Sequence, residues 1–141
     1  MGRSSSDERD QTMDNDELVG LALRARERAY APYSNFKVGA CLLAAKGRVF
    51  TGCNVENASY GLTVCAERVA LWKAISEGES EFVRMIVASG SERPAPPCGA
   101  CRQVLWEYCP DIEVVLAGSQ GFRESHRLAE LFPKPFGRNF L

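Results

Sequence analysis

Three cysteines in two short motifs constrain the fold of this chain more than any other feature. Cys65 begins the stretch Cys-Ala-Glu-Arg, and Cys98 and Cys101 belong to the stretch Pro-Cys-Gly-Ala-Cys. Both stretches have the composition of a helix start. Three thiolates can bind one zinc ion and leave its fourth tetrahedral position open for water, which is typical of a catalytic zinc site. The sequence therefore predicts that two separate helix starts meet at one metal ion.

The residues around these cysteines fit the same interpretation. The positive end of a helix lowers the pKa of a thiol, so a ligand in the first turn is biased toward the thiolate. Glu67 follows Cys65 by two residues, turned by roughly 200° on a regular helix, which makes it a poor ligand but leaves it near the metal. It is the candidate proton carrier. Arg68 can donate hydrogen bonds to the ligand sulfurs and offset part of their negative charge.

Flanking motifs carry a resemblance to a known family. They are Tyr-Ser-Asn-Phe-Lys-Val-Gly-Ala at 33–40, Asn-Val-Glu-Asn at 54–57 and Cys-Arg-Gln-Val at 101–104, in addition to the cysteine motifs. With them the chain resembles the zinc nucleoside deaminases and, within these, the small homotetrameric cytidine deaminases. The resemblance runs from about Tyr30 to Phe136. It implies an α/β fold with three layers, α/β/α, built on one mixed five-stranded sheet.

The resemblance implies a reaction and a cofactor. The reaction is the hydrolytic deamination of cytidine and 2′-deoxycytidine to uridine and 2′-deoxyuridine plus ammonia, in pyrimidine salvage in the cytoplasm. Zn²⁺ would bind to Cys65, Cys98 and Cys101, and Glu67 would take a proton from water and return it to the substrate. The expected assembly is a homotetramer with active sites at the subunit interfaces.

Substrate contacts also follow from the resemblance. Phe36 would line the pyrimidine pocket, with a core position as the alternative because alternate strand residues usually face the core. Asn54 and Glu56 would bind the ribose hydroxyls, Glu56 mainly the 3′-hydroxyl; the alternative is that both are solvated turn residues. A carboxylate there would repel a 3′-phosphate, which favours a free nucleoside over a nucleotide within a strand.

Further contacts involve residues near the subunit boundary. Ala66 would contact the substrate, and Tyr60 would lie near the active site of a neighbouring subunit. Phe136 would reach from one subunit into the active site of another. Gly137 is followed by arginine where the family has proline, so either Phe136 or Phe140 can cover the base.

Composition agrees with a compact enzyme that binds a small neutral substrate. The chain has 141 residues, of which 45% are hydrophobic and 25% charged, enough for one domain with a core. A net charge of −1 and a single histidine give no electrostatic footprint for nucleic acid or an acidic membrane. Without a recognisable secretory signal, the six cysteines are expected in a reducing cytosol. The longest apolar run, 38–45, is too short to span a bilayer.

The first part of the chain is expected to contain a tail, a helix and a hairpin. Residues 1–12 are polar, Ser-rich and charged, which predicts a disordered tail before a domain at 13–141. Asp14 or Asn15 can cap a helix with an apolar stripe that continues to Ala29 and that Pro32 closes. Two strands, 36–44 and 48–54, are predicted to pair around a tight turn at 46–47.

The rest of the chain alternates between helices and strands. Helices are predicted from Cys65 to Gly78 and from Gly99 to about Tyr108, and strands at 82–89, 112–117 and 122–125. The first helix is apolar around most of its circumference, which indicates that it also packs in a subunit interface. The alternation predicts a mixed sheet with helices on both faces.

Three alternative functions compete with the deaminase of free nucleosides. A structural zinc module would have a fourth protein ligand, and none is obvious in the sequence. A nucleic-acid deaminase would have a basic channel, which the charge balance disfavours. A deaminase of a nucleoside antibiotic, of the blasticidin-S type, shares the zinc motifs, and Asn54 with Glu56 favours the ribose-binding interpretation over it.

Overall fold

The structure, a computed structural model, describes residues 14–141. The predicted disordered tail at 1–12 therefore lies outside the described residues. The helices and strands, numbered in chain order, are α1 Asn15–Arg26, β1 Val38–Ala44, β2 Val49–Cys53, α2 Ala66–Ser76, β3 Phe82–Ser89, α3 Gly99–Tyr108, β4 Glu113–Ala117, β5 Arg123–Arg127 and α4 Leu128–Leu131.

The five strands form one sheet in the order β2-β1-β3-β4-β5. β3 and β4 are parallel, and the other neighbouring strands are antiparallel. The hairpin of β1 and β2 turns at Gly47, whose φ of 99° requires a residue that tolerates the left-handed region. The predicted mixed five-stranded sheet is confirmed.

Helices cover both faces of the sheet. α1 buries Leu18, Val19 and Ala22 against one face, where Leu43 and Ile86 point. α2, α3 and α4 cover the other face, with a larger cluster that includes these fully buried residues: Leu42, Leu71, Met85, Leu105, Val114 and Leu128. Each of the large aliphatic side chains contributes about 1.5–3 kcal/mol when it is fully buried. The predicted three-layer α/β/α arrangement is confirmed.

The first turn of α2 lies unusually close to the sheet. A Cβ atom at Gly52 in β2 would lie 2.5 Å from Ala66 O and 2.6 Å from Ala70 N. Nonbonded carbon and oxygen atoms rarely approach closer than about 3.3 Å, so the helix can sit at this depth because residue 52 has no side chain. This contact sets the position of the residues at the start of α2.

Several element boundaries differ from the predictions, among them the end of α1, the start of β1 and the end of β5, which lies at Arg127 rather than at residue 125. α1 ends at Arg26, and the next residues form turns in which Arg28 N bonds to Ala25 O and Ala29 N to Arg26 O; the continuation toward Pro32 was wrong. β1 begins at Val38 rather than at Phe36. At 36–38 the Asn54 side chain takes the place of a strand partner, with Nδ2 donating to Phe36 O and Oδ1 accepting from Val38 N. Asn35, with a φ of 56°, lies outside the extended conformation.

Within residues 14–141, no helix has the length and apolar character needed to cross a bilayer.

Candidate metal centre

Topology brings the two cysteine motifs together. β2 and β3 are both antiparallel to β1, so they run in the same direction and end at the same edge of the sheet. α2 follows β2, and α3 follows β3. Cys65 is the N-cap residue of α2 and Cys98 that of α3. The two helix starts therefore meet at the carboxyl ends of these strands, where α/β proteins commonly bind ligands.

The three predicted sulfur ligands form one cluster. The Sγ atoms of Cys65, Cys98 and Cys101 all lie within 4.8 Å of one another, and those of Cys65 and Cys98 are 3.5 Å apart. Zinc–sulfur bonds of about 2.3 Å place tetrahedral sulfurs about 3.8 Å apart, so this donor set fits Zn²⁺ with small side-chain adjustments. In the part of the chain that the structure describes, no fourth protein ligand joins the cluster.

The pKa values of the clustered thiols indicate that the cluster binds a cation. A hydrogen bond with the Cys101 thiol lowers the pKa of Cys65 to about 5, against the effect of burial, and Arg68 and Cys98 act in the same direction. The same hydrogen bond raises the pKa of Cys101 above its ordinary range. Three neighbouring thiolates repel one another unless a cation neutralises them. The cofactor of this cluster is Zn²⁺, for which thiolates are preferred ligands.

Arg68 places a positive charge against the sulfurs. Its Nη2 donates to Cys65 Sγ at 3.4 Å. Its Nε is buried and has no hydrogen-bond partner among residues 14–141. A guanidinium on the edge of a thiolate cluster reduces the net negative charge that the ligands present to the metal.

Glu67 lies in the first turn of α2, next to the sulfur cluster but outside it. Only 4% of its surface is exposed. Burial raises its pKa to about 7, and the neighbouring Cys65 thiolate acts in the same direction, whereas Arg68 lowers it. A buried carboxyl group beside a metal cluster has the position expected of a proton carrier.

The remaining cysteines lie outside the cluster. Burial raises the pKa of Cys41 to about 11 and that of Cys109 to about 12, so both are protonated thiols that pack as small apolar groups. Cys109 caps the C-terminal end of α3, whereas Cys98 caps its N-terminal end. Cys53 is a half-buried free thiol at the end of β2.

A backbone bridge joins the predicted ribose motif to the first metal motif. Val55 and Val64 exchange two hydrogen bonds, of 2.9 and 3.0 Å. In this antiparallel pair, Asn54 stands opposite Cys65, and Glu56 stands opposite Thr63. The Asn54–Asn57 motif is thereby held beside the metal cluster although it is distant from it in the sequence.

The Glu56 carboxylate is held by the 33–34 turn. Its Oε1 accepts from Tyr33 N at 2.9 Å and from Ser34 N at 3.2 Å, and its Oε2 accepts from Ser34 Oγ. The Ser34 hydroxyl, with help from the two backbone N–H groups, lowers the pKa of Glu56. The carboxylate is therefore ionised at neutral pH, and its orientation is fixed.

Asn54 uses both ends of its carboxamide on the backbone around Phe36. Its Nδ2 donates to Phe36 O at 2.8 Å and its Oδ1 accepts from Val38 N at 2.9 Å. One N–H and one lone pair stay available for a ligand. Phe36 itself is 41% exposed and precedes β1, so it is not a core residue and its ring is free to form a pocket wall.

An open cavity lies beside Glu56. Its volume is about 310 Å³, and its lining includes Tyr33, Ser34, Glu56, Tyr60 and Thr63. Tyr33 and Tyr60 meet edge to face with ring centroids 6.3 Å apart. Tyr60 is 76% exposed, so its ring lies on the surface of the chain.

The C-terminal segment carries a stacked pair of aromatic rings. Phe136 and Phe140 lie 5.7 Å apart between centroids at 12° between planes, and both rings are exposed. Gln103 of α3 donates to Phe136 O at 2.8 Å. The two aromatic candidates for covering the base are therefore one unit, and it is tied to the helix that carries Cys101.

Sequence reasoning missed the partners that orient the site residues. Ser34 stands inside the 33–40 motif, and Arg102 and Gln103 stand inside the 101–104 motif, but their motif positions did not identify their partners. The contacts of Ser34 with Glu56, Arg102 with Leu131 and Gln103 with Phe136 span 22 to 33 residues, and no local pattern encodes such a contact. The second contact of Arg102, with Pro97, is local.

Comparison with known proteins agrees with this geometry. Residues 12–117 match the family described as the cytidine and deoxycytidylate deaminase zinc-binding region. Cytidine deaminase from Halalkalibacterium halodurans is 53% identical over 125 residues, which cover 88% of this chain and 95% of the relative. The crystal structure of cytidine deaminase from Burkholderia pseudomallei superposes with a TM-score of 0.85 at 50% identity, covering 88% of this chain and all of the other.

A relative with a different substrate is more distant. Blasticidin-S deaminase from Bacillus cereus is 30% identical over 131 residues, which cover 87% of this chain and 92% of the relative. The family match spans both cysteine motifs and four of the five strands, β1 to β4. Its zinc-binding character agrees with the sulfur cluster beside Glu67. The chain belongs to the cytidine and deoxycytidylate deaminase family of zinc enzymes.

Proposed function

We propose that this protein hydrolyses the amino group of free cytidine and 2′-deoxycytidine, giving uridine or 2′-deoxyuridine and ammonia. The observation that carries the proposal is the cluster of three sulfurs beside a buried, non-ligating Glu67. The 53% identity with a cytidine deaminase over most of the chain supports the choice of substrate. Such a reaction belongs to the salvage of pyrimidine nucleosides, and we assign the protein to the cytoplasm, where its thiols stay reduced.

The chemistry divides between the metal and Glu67. When bound, Zn²⁺ lowers the pKa of a water molecule and so supplies the nucleophile at neutral pH. Glu67 accepts the proton of that water and delivers it to N3 of the base, which makes C4 more electrophilic. The water oxygen bonds to C4. Glu67 then takes the remaining proton of that oxygen and delivers it to the amino group, so that the C4–N bond breaks, ammonia leaves and the carbonyl of uridine forms.

Residues that flank the bridge between Val55 and Val64 bind the nucleoside. Glu56 accepts a hydrogen bond from the 3′-hydroxyl, and the free N–H of Asn54 donates to a ribose oxygen. Phe36 and Ala66 contact the base. The fixed carboxylate of Glu56 supports this assignment because it offers an acceptor to a hydroxyl and repels a 3′-phosphate.

The same proposal includes an assembly of four copies. Exposed aromatic and aliphatic side chains support it: Tyr60, Leu62, Trp72, Phe136 and Phe140. In a homotetramer, Tyr60 contacts the substrate of a neighbouring subunit. Phe136, with Phe140 stacked behind it, covers the base of another.

The test combines turnover with metal content. Purified protein is incubated with cytidine, and loss of substrate absorbance is followed on a batch whose zinc content is measured. Glu67→Gln removes the proton carrier without changing the shape of the side chain, so we expect full zinc content and a loss of about 10²–10⁴ in kcat. Glu107→Gln, the same change on an exposed carboxylate of α3, is the control and should keep wild-type turnover.

Two results would contradict the proposal. Wild-type-like turnover in Glu67→Gln would remove the assigned proton carrier. Turnover of blasticidin S by the wild-type protein with no turnover of cytidine would favour the antibiotic deaminase, to which the 30% identical relative points.

A further inference from the structure

Two consecutive side chains of α3 hold distant parts of the backbone. Arg102 donates from Nε to Pro97 O at 2.8 Å and from Nη1 to Leu131 O. Gln103 donates from Nε2 to Phe136 O. The reaction proposed above assigns no role to Arg102. Its two acceptors nevertheless belong to the loop that carries a metal ligand and to the segment that carries Phe136.

The contact with Pro97 acts on the backbone of Cys98. The Pro97 carbonyl belongs to the planar peptide group that includes the N and Cα atoms of Cys98, so an anchor on this oxygen restricts the orientation of the cysteine. Pro97 is buried, whereas Cys98 is the exposed ligand of the three. As the N-cap of α3, Cys98 makes no side-chain cap hydrogen bond. The Cys98 carbonyl accepts from Arg102 N at 3.0 Å, so the contact with Pro97 O adds a second restraint from Arg102, on the peptide that precedes Cys98.

The contact with Leu131 acts on the C-terminal segment. Leu131 is the last residue of α4, and the next residue, Phe132, packs edge to face on Trp106 of α3 with centroids 6.4 Å apart. Gln103 then holds the segment again at Phe136. One side chain, Arg102, thus bridges the metal loop and the start of this segment.

We propose that Arg102 is a positioning residue for zinc: it orients Cys98 through the Pro97 carbonyl and ties the metal loop to the C-terminal segment. The planar guanidinium has donors in fixed directions, so it can hold two carbonyl groups at a constant separation. A lysine ammonium is a point charge on a flexible stem and cannot reproduce this bridge. The consequence of the tie for the substrate rests on the proposed function, because there Phe136 covers the base.

The experiment measures zinc release without substrate. Purified, zinc-loaded protein is mixed with an excess of a chromophoric chelator at a temperature far below its unfolding transition, and the rate of zinc transfer is recorded. For Arg102→Lys we expect release about tenfold faster than in the wild type, the lower end of the effect of groups that support metal ligands. Any acceleration of about threefold or more supports the proposal.

Two control variants separate this role from others. Arg138→Lys makes the same chemical change at an exposed arginine whose partner is Glu107, at 3.4 Å, and should release zinc at the wild-type rate. Gln103→Ala loses the contact with Phe136 but keeps that of Arg102 with Pro97, and should also release zinc at the wild-type rate. If Arg102→Lys does not yield folded protein, Arg102→Gln is measured against the same thresholds.

The outcomes distinguish positioning from a general structural role. Release less than about threefold faster in Arg102→Lys overturns the proposal, even if the variant unfolds at a lower temperature. An equal acceleration in Arg138→Lys or Gln103→Ala overturns it as well. The chelator assay contains no nucleoside. Failure of the wild-type protein to deaminate cytidine would therefore contradict the proposed function without changing the conclusion about Arg102 and zinc release.

Discussion

Replacing Gly52 by alanine tests whether the close packing of α2 on β2 sets the geometry of the metal centre. The added Cβ would lie 2.5 Å from Ala66 O, and an ordinary contact of this kind is about 3.3 Å or longer. The backbone acceptor cannot rotate away, so the start of α2 has to move by about 1 Å relative to the sheet. Cys65 and Glu67 flank Ala66 and move with it.

This displacement has a predictable magnitude in two measurements. Overpacking of this kind costs about 1–3 kcal/mol of stability, which urea unfolding of the zinc-loaded protein measures. A shift of about 1 Å in a positioned catalytic group costs on the order of 10²-fold in rate. We therefore expect kcat/KM for cytidine, measured per zinc-loaded molecule, to fall by about 10²-fold.

Two other glycines provide matched controls. At Gly20 in α1, an added Cβ would have only Arg24 Nη1 nearby, at 4.0 Å, so Gly20→Ala should stabilise the helix by about 0.5–1 kcal/mol. At Gly39 the Cβ would lie 1.9 Å from Ala22 O, a worse clash, but against a helix that carries no candidate site residue. Gly39→Ala should therefore lower the free energy of unfolding more than Gly52→Ala does. Its loss of kcat/KM per folded molecule should be smaller.

Two results would refute the proposed link between the position of α2 and catalysis. If Gly52→Ala is destabilised but keeps wild-type kcat/KM when fully loaded with zinc, the depth of α2 does not determine the position of Glu67. If Gly39→Ala loses as much activity per folded molecule as Gly52→Ala, the loss reflects general loosening of the fold.

The remaining predictions concern the ribose contact and the assembly. Glu56→Gln replaces the ionised acceptor, so KM for cytidine should rise by about tenfold or more, the value of a hydrogen bond to a charged group. The wild-type protein and Glu56→Gln should turn over 3′-deoxycytidine equally well, because this nucleoside lacks the 3′-hydroxyl. An equal loss with both nucleosides would count against a 3′-hydroxyl contact. Light scattering during size exclusion should give four times the chain mass of 15.5 kDa, and a monomer that turns over cytidine at full rate would remove the proposed roles of Tyr60 and Phe136 across the interface.

Local chemistry made much of the fold predictable from the sequence. Asp14 was a candidate cap, and its carboxylate accepts from Glu17 N at 2.9 Å. Gly78 was expected to end α2, and its φ of 95° follows the last turn of that helix. Both signals lie within a few residues of the structure that they specify. The alternation of strands and helices similarly sufficed for the three layers, because each element carries its own periodicity.

Long-range hydrogen bonds account for what the sequence did not predict. Phe36 alternates with Val38 and Ala40, which extended the predicted strand by two residues, but the Asn54 carboxamide binds the backbone there and stands in for a strand partner. The anchoring of Glu56 by Ser34 was equally invisible. A polar residue in a motif indicates that it has a role, and the pattern alone does not say whether its partner is a ligand or the backbone.

The metal centre shows how much of a site can rest on the backbone rather than on the ligands. The sulfur positions of Cys65 and Cys98 depend on the starts of α2 and α3. The absence of a side chain at Gly52 lets the start of α2 pack closely on the sheet. The side chain of Arg102 holds the peptide that precedes α3. Neither residue is a zinc ligand. If both contacts act as argued, Gly52→Ala should mainly impair catalysis because it moves Glu67 together with Cys65, whereas Arg102→Lys should mainly speed zinc release because it frees one ligand. If Gly52→Ala instead mainly speeds zinc release and Arg102→Lys mainly lowers kcat/KM, the roles assigned to these two contacts are wrong.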